Sequence, residues 1–333
     1  MEQCSQEKHG ARIAGTGSYL PPDILTNDQL QKMVDTDDEW IRSRTGIEQR
    51  HIADKEIATS DMATVAARNA IDAAKITPQD IGMIIVATST PDMMLPSTAC
   101  LVQRNLGTGT CPAFDMEVAC TGFVYALSIA EQYVKNGLFN NILVIGAETL
   151  SRIVDWEDRN TCILFGDGAG AAIVQACEAG RGIVGSVLKA DGNGSDLLSV
   201  PAGGSKLPTD SDAIDKRLNY IQMNGIDVYK FAVRVAVASV REVLEKYSYT
   251  KDDIDLFVPH QANSRIIDAV AKKLQLKEEN VVQTVAKYGN MSAASIPVAL
   301  DDAVRSGRVH DNDMLVLVAF GAGLSWGAMI LHW

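Results

Sequence analysis

The sequence predicts an α/β protein built from two similar halves, and three observations carry that prediction. Continuous apolar runs of strand length, such as "IGMIIVAT" and "NILVIGAE", are of the kind that parallel sheets bury on both faces. These runs alternate with segments of helical spacing, of which the alanine-rich "TSDMATVAARNAIDAA" is the clearest. The order of the first half then recurs in the second. "NAIDAAKITPQDIGMIIVATS" and "EVLEKYSYTKDDIDLFVPHQA" share a helix end, a capping region with Asp80 or Asp253, an isoleucine at 81 or 254, and an apolar strand. "FNNILVIGAETLS" is likewise echoed by "HDNDMLVLVAFGAGLS".

Along the chain, "ARIAGTGSYLP" reads as a short strand ending in a turn. "TNDQLQKMVDTDDEWIRSRTGI" reads as helical in two pieces, with Thr26 or Asn27 as cap. The next helix opens at Thr59, Ser60 or Asp61, and the strand "IGMIIVAT" follows it. A helix around "STACLVQRNLG", the run "CPAFDMEV", a helix from about Thr121 to Asn136 and the strand "NILVIGAE" come next. "CILFGDGAGAAIVQA" reads as a strand pair joined through a glycine-rich turn. A seam at position 180 divides the chain into halves 1–180 and 181–333.

Bulk properties narrow the function. With 333 residues, 47% of them hydrophobic, the chain can bury a large core. Its 26 glycines and sparse aromatics suit tight strand-helix joints. Lys and Arg total 30 against 42 Asp and Glu, a net charge of -12, which argues against a nucleic-acid surface. The cysteines at 4, 100, 111, 120, 162 and 177 form no C-x-x-C pair, so neither a metal nor a disulfide framework is expected and a reducing, cytoplasmic setting is. The start, "MEQCSQEKHG", is polar, and no uncharged run approaches the roughly 18 residues of a membrane span.

Four places could carry chemistry. Cys120 follows "DMEVA" and precedes "TGFVYALSIAEQYV", which sets its sulfur at a helix N-terminus, where the dipole and unpaired N–H groups favour a thiolate able to attack a thioester. A buried cysteine acting as a small hydrophobe is the bland alternative, and it suffices for the other cysteines. His260 ends the apolar strand "IDLFVPHQAN", where α/β proteins place functional groups. Asn290 lies in "YGNMSAASIPVAL", either a helix cap or a donor set above close small-residue packing. The cluster "FGAGLSWG" could present backbone N–H groups to an oxyanion or simply turn between two buried strands. "FGDGAGA" lacks the register of a phosphate-binding loop.

In order along nearly the whole chain, "GTGSYLP", "DDEWIRSRTGI", "CPAFDMEVACTGF", "FGDGAGA", "VPHQAN", "YGNMSAAS" and "FGAGLSWG" resemble the β-ketoacyl-acyl-carrier-protein synthase III family. The resemblance implies the thiolase fold, duplicated α/β halves in five layers, and a homodimer. It implies that Cys120 takes an acyl group, usually acetyl, from coenzyme A. Malonyl-acyl-carrier protein then loses carbon dioxide and attacks the held group, with His260 and Asn290 stabilising the enolate. The backbone N–H groups of Cys120 and Ala322 would form the oxyanion hole, although the family usually has glycine where Ala322 stands. For coenzyme A it points to Trp40 and Arg159 around the adenine and Arg44 near the phosphates; no cofactor beyond this substrate is implied. Lys230, Arg265, Lys272 and Lys273 would receive the acidic carrier protein, a local patch that offsets the acidic whole. Leu95 matches a position, often phenylalanine, that crosses from the partner subunit to limit the acyl pocket.

A thiolase is disfavoured because "FGAGLSWG" lacks a second cysteine, and a hydroxymethylglutaryl-type synthase because no glutamate base upstream of Cys120 is evident. A secondary-metabolism condensing enzyme shares the same residue set. A cysteine thioester hydrolase and a non-catalytic acyl-binding protein are the readings from other classes.

Overall fold

The structure is a computed structural model describing residues 10–333, so Cys4 and His9 lie outside the described residues. Nine strands build two sheets: β1 (Gly10–Tyr19), β2 (Met83–Ala87), β3 (Ala113–Met116), β4 (Asn141–Thr149), β5 (Asp167–Cys177), β6 (Ile183–Ala190), β7 (Leu256–Pro259), β8 (Met314–Gly321) and β9 (Ser325–His332). The helices that matter for packing are α1 (Asp38–Thr45), α2 (Thr59–Ala74), α3 (Thr98–Leu106), α4 (Gly122–Lys135), α5 (Gly225–Lys246), α6 (Ser264–Leu274) and α7 (Ser295–Arg305).

The first sheet runs β1-β5-β4-β2-β3 and the second β6-β9-β8-β7. Their pairing agrees strand for strand. β2 lies parallel to β4 as β7 does to β8; β4 is antiparallel to β5 as β8 is to β9; β1 closes one edge against β5 as β6 does against β9. Only β3 lacks a full counterpart, where a single bridge between Phe257 and Val281 stands instead. The predicted capping regions recur too: the Thr77 amide donates to Asp80 at 2.8 Å and the Thr250 amide to Asp253 at 2.7 Å.

Three apolar cores separate five layers. Met62, Ala66, Val102 and Val86 join α2 and α3 to the outer face of the first sheet. Phe123, Leu127, Ile296 and Leu300 fill the centre, where α4 and α7 lie between Val144 of one sheet and Leu317 of the other. Val235, Ile266, Val316 and Ile330 join α5 and α6 to the second sheet's outer face. Each fully buried side chain of this size contributes about 1.5–3 kcal/mol, which is why sheets covered on both faces read as unbroken apolar runs. α7 reaches into the first half: its buried Asp301 accepts from Thr16 at 2.9 Å and Ser18 at 2.6 Å on β1.

Several local expectations change. The strand at "ARIAGTGSYLP" is not short but spans ten residues. The helix beginning at Thr59 has Ala58 as its N-cap residue, with Asp61 accepting from the Ala58 amide at 2.9 Å. "CILFGDGAGAAIVQA" is not a strand pair: Arg159–Cys162 forms one helical turn, and Asp167–Cys177 is a single strand with its glycines inside it. The reason is close packing rather than turning. A Cβ on Gly170 would stand 2.7 Å from Pro297 Cβ and from the Val298 nitrogen on α7. "FGAGLSWG" does turn between two buried strands, β8 and β9, which pair antiparallel up to Gly321 and Ser325.

Candidate active site

Cys120 sits in a 3-10 turn, Ala119–Thr121, that runs directly into α4. The preceding Ala119 has φ of 44°, a left-handed conformation that costs a non-glycine residue on the order of 1 kcal/mol. The Glu117 side chain, three residues upstream, braces this elbow by accepting from the Ala119 amide at 3.1 Å. The sulfur is 7% exposed. Here the structure corrects the expectation of a resting thiolate: burial pushes the Cys120 thiol up to about 12, against the opposing pull of a hydrogen bond from Ser292. The resting side chain is a thiol whose proton needs an acceptor.

His260 follows the last residue of β7, and its amide donates to Val318 O at 2.8 Å. Its ring stands edge-on to Phe320 with centroids 5.4 Å apart, and Nδ1 is buried without a partner among the described residues. Burial drives its pKa down to about 3, so the ring is neutral at pH 7 and has one N–H to donate. The neighbouring Gln261 is fully buried and clamps the loop, donating to Pro259 O at 2.7 Å and accepting from the Thr284 amide at 2.7 Å.

Asn290 is held by its backbone, which donates to Leu164 O at 2.9 Å and accepts from the Gly166 amide at 3.0 Å. Its side-chain oxygen accepts from the Ser292 amide at 2.9 Å, which leaves the NH2 end to donate elsewhere.

Cys120 lies where two cavities meet. The larger, about 760 Å³, is lined by Cys120, His260 and Asn290 at its inner end and by Trp40, Arg44 and Arg265 farther out. Asn263, the N-cap of α6, ties the two walls of this passage by donating to Arg44 O at 3.1 Å. The smaller, about 340 Å³, reaches from Cys120 past Ala322, Leu150 and Val200. The Ala322 amide donates no hydrogen bond among the described residues, so it is available at this junction.

The remaining expected residues fall into place or stay apart. Arg159 and Arg44 lie over the Trp40 ring at 5.2 and 6.0 Å from its centroid, although Trp40 alone reads as a core residue. Lys230 is exposed beside the mouth, paired with Asp227 at 3.2 Å, while Arg265 stands 5.9 Å over the Tyr229 ring. Lys272 and Lys273 are exposed in the last turn of α6. Leu95 lines neither cavity of its own chain; it projects at 81% exposure beside Met94.

Sequence reasoning missed three residues around the sulfur. Glu117 and Ser292 line the smaller cavity, and Ser292 takes φ of 46°. Glu148, fully buried at the end of β4, accepts from the Ser89 amide at 3.1 Å and the Thr90 hydroxyl at 2.6 Å. Burial raises Glu148 to about 7 despite these donors, and Ser292 hydrogen-bonds to it as well. The Glu117 position within "DMEVAC" was the one available signal. Among the described residues no group of side chains has the makings of a metal site, and no helix is long and apolar enough to cross a membrane.

The chain matches two family models, 3-oxoacyl-[acyl-carrier-protein] synthase III over residues 114–192 and its C-terminal domain over residues 244–333. It is 55% identical to β-ketoacyl-[acyl-carrier-protein] synthase III of Caldanaerobacter subterraneus, over 98% of this chain and 99% of that one. The solved structure of 3-oxoacyl-[acyl-carrier-protein] synthase III from Aquifex aeolicus superposes with a TM-score of 0.90 at 46% identity, covering 97% of this chain and 100% of that chain. A priming β-ketosynthase from the R1128 polyketide biosynthetic pathway superposes with a TM-score of 0.91 at 34% identity, covering 98% of this chain and 97% of that chain.

Proposed function

Because this chain belongs to the β-ketoacyl-[acyl-carrier-protein] synthase III family, we propose that it condenses a short acyl-CoA with malonyl-acyl-carrier protein, initiating fatty acid synthesis. The observation that carries this reading is the buried Cys120 thiol at the meeting of two cavities, with His260 and Asn290 lining one of them. Acetyl-CoA is the first primer to test. It enters along the larger cavity, with its adenine between Trp40 and Arg159 and its phosphates near Arg44, planes and charges suited to that ligand.

Cys120 attacks the thioester carbonyl, whose oxygen takes hydrogen bonds from the Cys120 and Ala322 amides, and coenzyme A leaves. The acyl chain occupies the smaller cavity, which Leu95 from a second copy of the chain would close. Malonyl-acyl-carrier protein then docks against Lys230, Arg265, Lys272 and Lys273. Departure of carbon dioxide makes the carbanion, so no base has to remove a carbon-bound proton. The neutral His260 ring and the Asn290 amide donate to the enolate oxygen as its charge develops. In this reading the two halves are residues 1–180 and 181–333, the enzyme is a cytoplasmic homodimer, and it needs neither metal nor cofactor.

Intact-mass spectrometry tests it. After brief exposure to acetyl-CoA the protein should gain roughly 42 mass units, the Cys120→Ala variant none, and malonyl-acyl-carrier protein should discharge the gain as acetoacetyl-carrier protein. Failure to load with any of a panel of acyl-CoAs would overturn the reading. Likeness to the polyketide priming enzyme keeps a secondary-metabolism role as the second reading. Discharge by a polyketide carrier but not by a fatty-acid carrier would favour it.

A further inference from the structure

The loading step leaves one proton unaccounted for. Cys120 rests as a buried thiol, and it has to lose its proton as the sulfur attacks. His260 could take it only at the expense of the donor role given to its neutral ring. On the other side of the sulfur, the Ser292 hydroxyl hydrogen-bonds to the Cys120 sulfur and to Glu148. Glu148 is a carboxyl group with no cation beside it, fully buried at the end of β4. Around it the chain supplies only neutral donors: the Ser89 amide, the Thr90 hydroxyl at 2.6 Å, the Thr88 hydroxyl at 3.4 Å and the Ala293 amide.

Resting on the reading that Cys120 is acylated, we propose that Ser292 and Glu148 are the path by which the Cys120 thiol loses its proton during loading. The sulfur forms a bond to the acyl carbon as its proton passes to the Ser292 oxygen and the Ser292 proton passes to the Glu148 carboxylate. Collapse of the tetrahedral adduct breaks the bond to the coenzyme A sulfur, and that thiolate takes one proton back along the same hydroxyl. Glu148 ends ionised, and the exchange is balanced without water or a co-reactant.

Two features of the site suit this role. Ser292 is fixed, because its left-handed φ of 46° and its amide bond to Asn290 at 2.9 Å leave little freedom to the turn that carries it. Glu148 has an affinity for protons matched to the task, since burial raises it to about 7. The titratable groups facing the path are Cys120 itself, Glu117 through its hydrogen bond with Ser89 at 2.9 Å, and His260 across the larger cavity. Glu117 raises the thiol further, which opposes loss of the proton to solvent.

The test is single-turnover acetylation of the full-length protein by acetyl-CoA, read by quenched intact mass from pH 5.5 to 9. In the unmodified protein the rate should rise with pH up to about 7 and then level off. Glu148→Gln keeps size and hydrogen-bonding capacity but cannot accept the proton; its loading rate should fall about 10- to 100-fold at pH 7 and climb with pH without levelling. Ser292→Ala should behave alike while Glu148 stays. Discharge of enzyme that has been slowly acetylated to completion should change less than threefold in Glu148→Gln, because His260 and Asn290 are intact. A wild-type pH profile in both variants, or equal losses in loading and discharge, would overturn the proposal. If Glu148→Gln does not fold, as read by its thermal melt, Ser292→Ala decides. Were Cys120 not the nucleophile at all, the unmodified protein would fail to load, an outcome separate from normal loading in both variants.

Discussion

Two elbows of this molecule use one backbone device for different chemistry. In the first half Glu117, Val118, Ala119 and Cys120 lead into α4; in the second Asn290, Met291, Ser292 and Ala293 lead into α7. In each, a side-chain oxygen accepts from the amide two residues on, Glu117 from Ala119 at 3.1 Å and Asn290 from Ser292 at 2.9 Å. The braced residue is left-handed in each, at φ 44° and 46°, and a 3-10 turn then starts a central helix. What differs is which position carries the reactive group. The first elbow spends its fourth residue on a thiol, whereas the second spends its first on an amide and its third on a hydroxyl. Duplication supplied one rigid turn twice, and the functional set is divided between the copies.

The largest expected effect comes from making the second elbow carry the first one's brace. Asn290→Asp keeps an oxygen for the Ser292 amide but removes the NH2 donor proposed for the enolate. Discharge of the acetylated enzyme by malonyl-acyl-carrier protein should fall about 10²- to 10³-fold, the usual loss for one oxyanion donor. Loading from acetyl-CoA should change less than tenfold. Equal losses in both half-reactions would mean that Asn290 serves as a brace alone.

A smaller effect separates the elbows by what lies above them. β4 presents Gly146 to the second elbow, where a Cβ would stand 2.2 Å from Ala293 O; β8 presents Gly321 to the first, where it would stand 2.9 Å from the Cys120 nitrogen. Either alanine substitution overpacks a rigid site and should cost about 1–3 kcal/mol in urea unfolding. Only Gly321→Ala should also slow loading, by about tenfold, because the displaced backbone carries an oxyanion donor. If Gly146→Ala slows loading equally with Ser292 intact, the elbows move as one unit.

This duplication was partly legible in the sequence. The strands "IGMIIVAT" and "IDLFVPHQA" show it because both are buried on both faces, and burial selects the same residue types in each copy. The elbows do not, since Glu117 and Asn290, Ala119 and Ser292, Cys120 and Ala293 share a backbone but no side chain. Cys120, His260 and Asn290 stood out through their places at helix and strand ends. Glu148 did not, because a glutamate closing a strand looks the same in sequence whether water or Ser292 of the other half lies against it. The glycines of β5 were misread for a similar reason: what demands them is α7, which lies far along the chain.

The smallest effect concerns the outer layers, where the halves also differ. Arg265, Lys272 and Lys273 give α6 three basic residues, while its counterpart α3 has one, Arg104. If this asymmetry makes the second half the docking side, reversing charge at Lys272 and Lys273 should raise KM for malonyl-acyl-carrier protein about three- to tenfold. Loading from acetyl-CoA, in which the carrier takes no part, should stay within twofold. Both lysines are exposed, so the pairs they form with an acidic partner lie in high dielectric and each is worth at most about 1 kcal/mol. The difference between the variant and the unmodified protein should therefore shrink as salt rises from low ionic strength to about 0.5 M, since the Debye length is already ~10 Å at 0.1 M. A KM that responds to salt but not to the reversal would move the docking side toward Lys230 and Arg265 at the mouth of the larger cavity. Those residues flank the passage to Cys120, and reversing them should disturb loading as well.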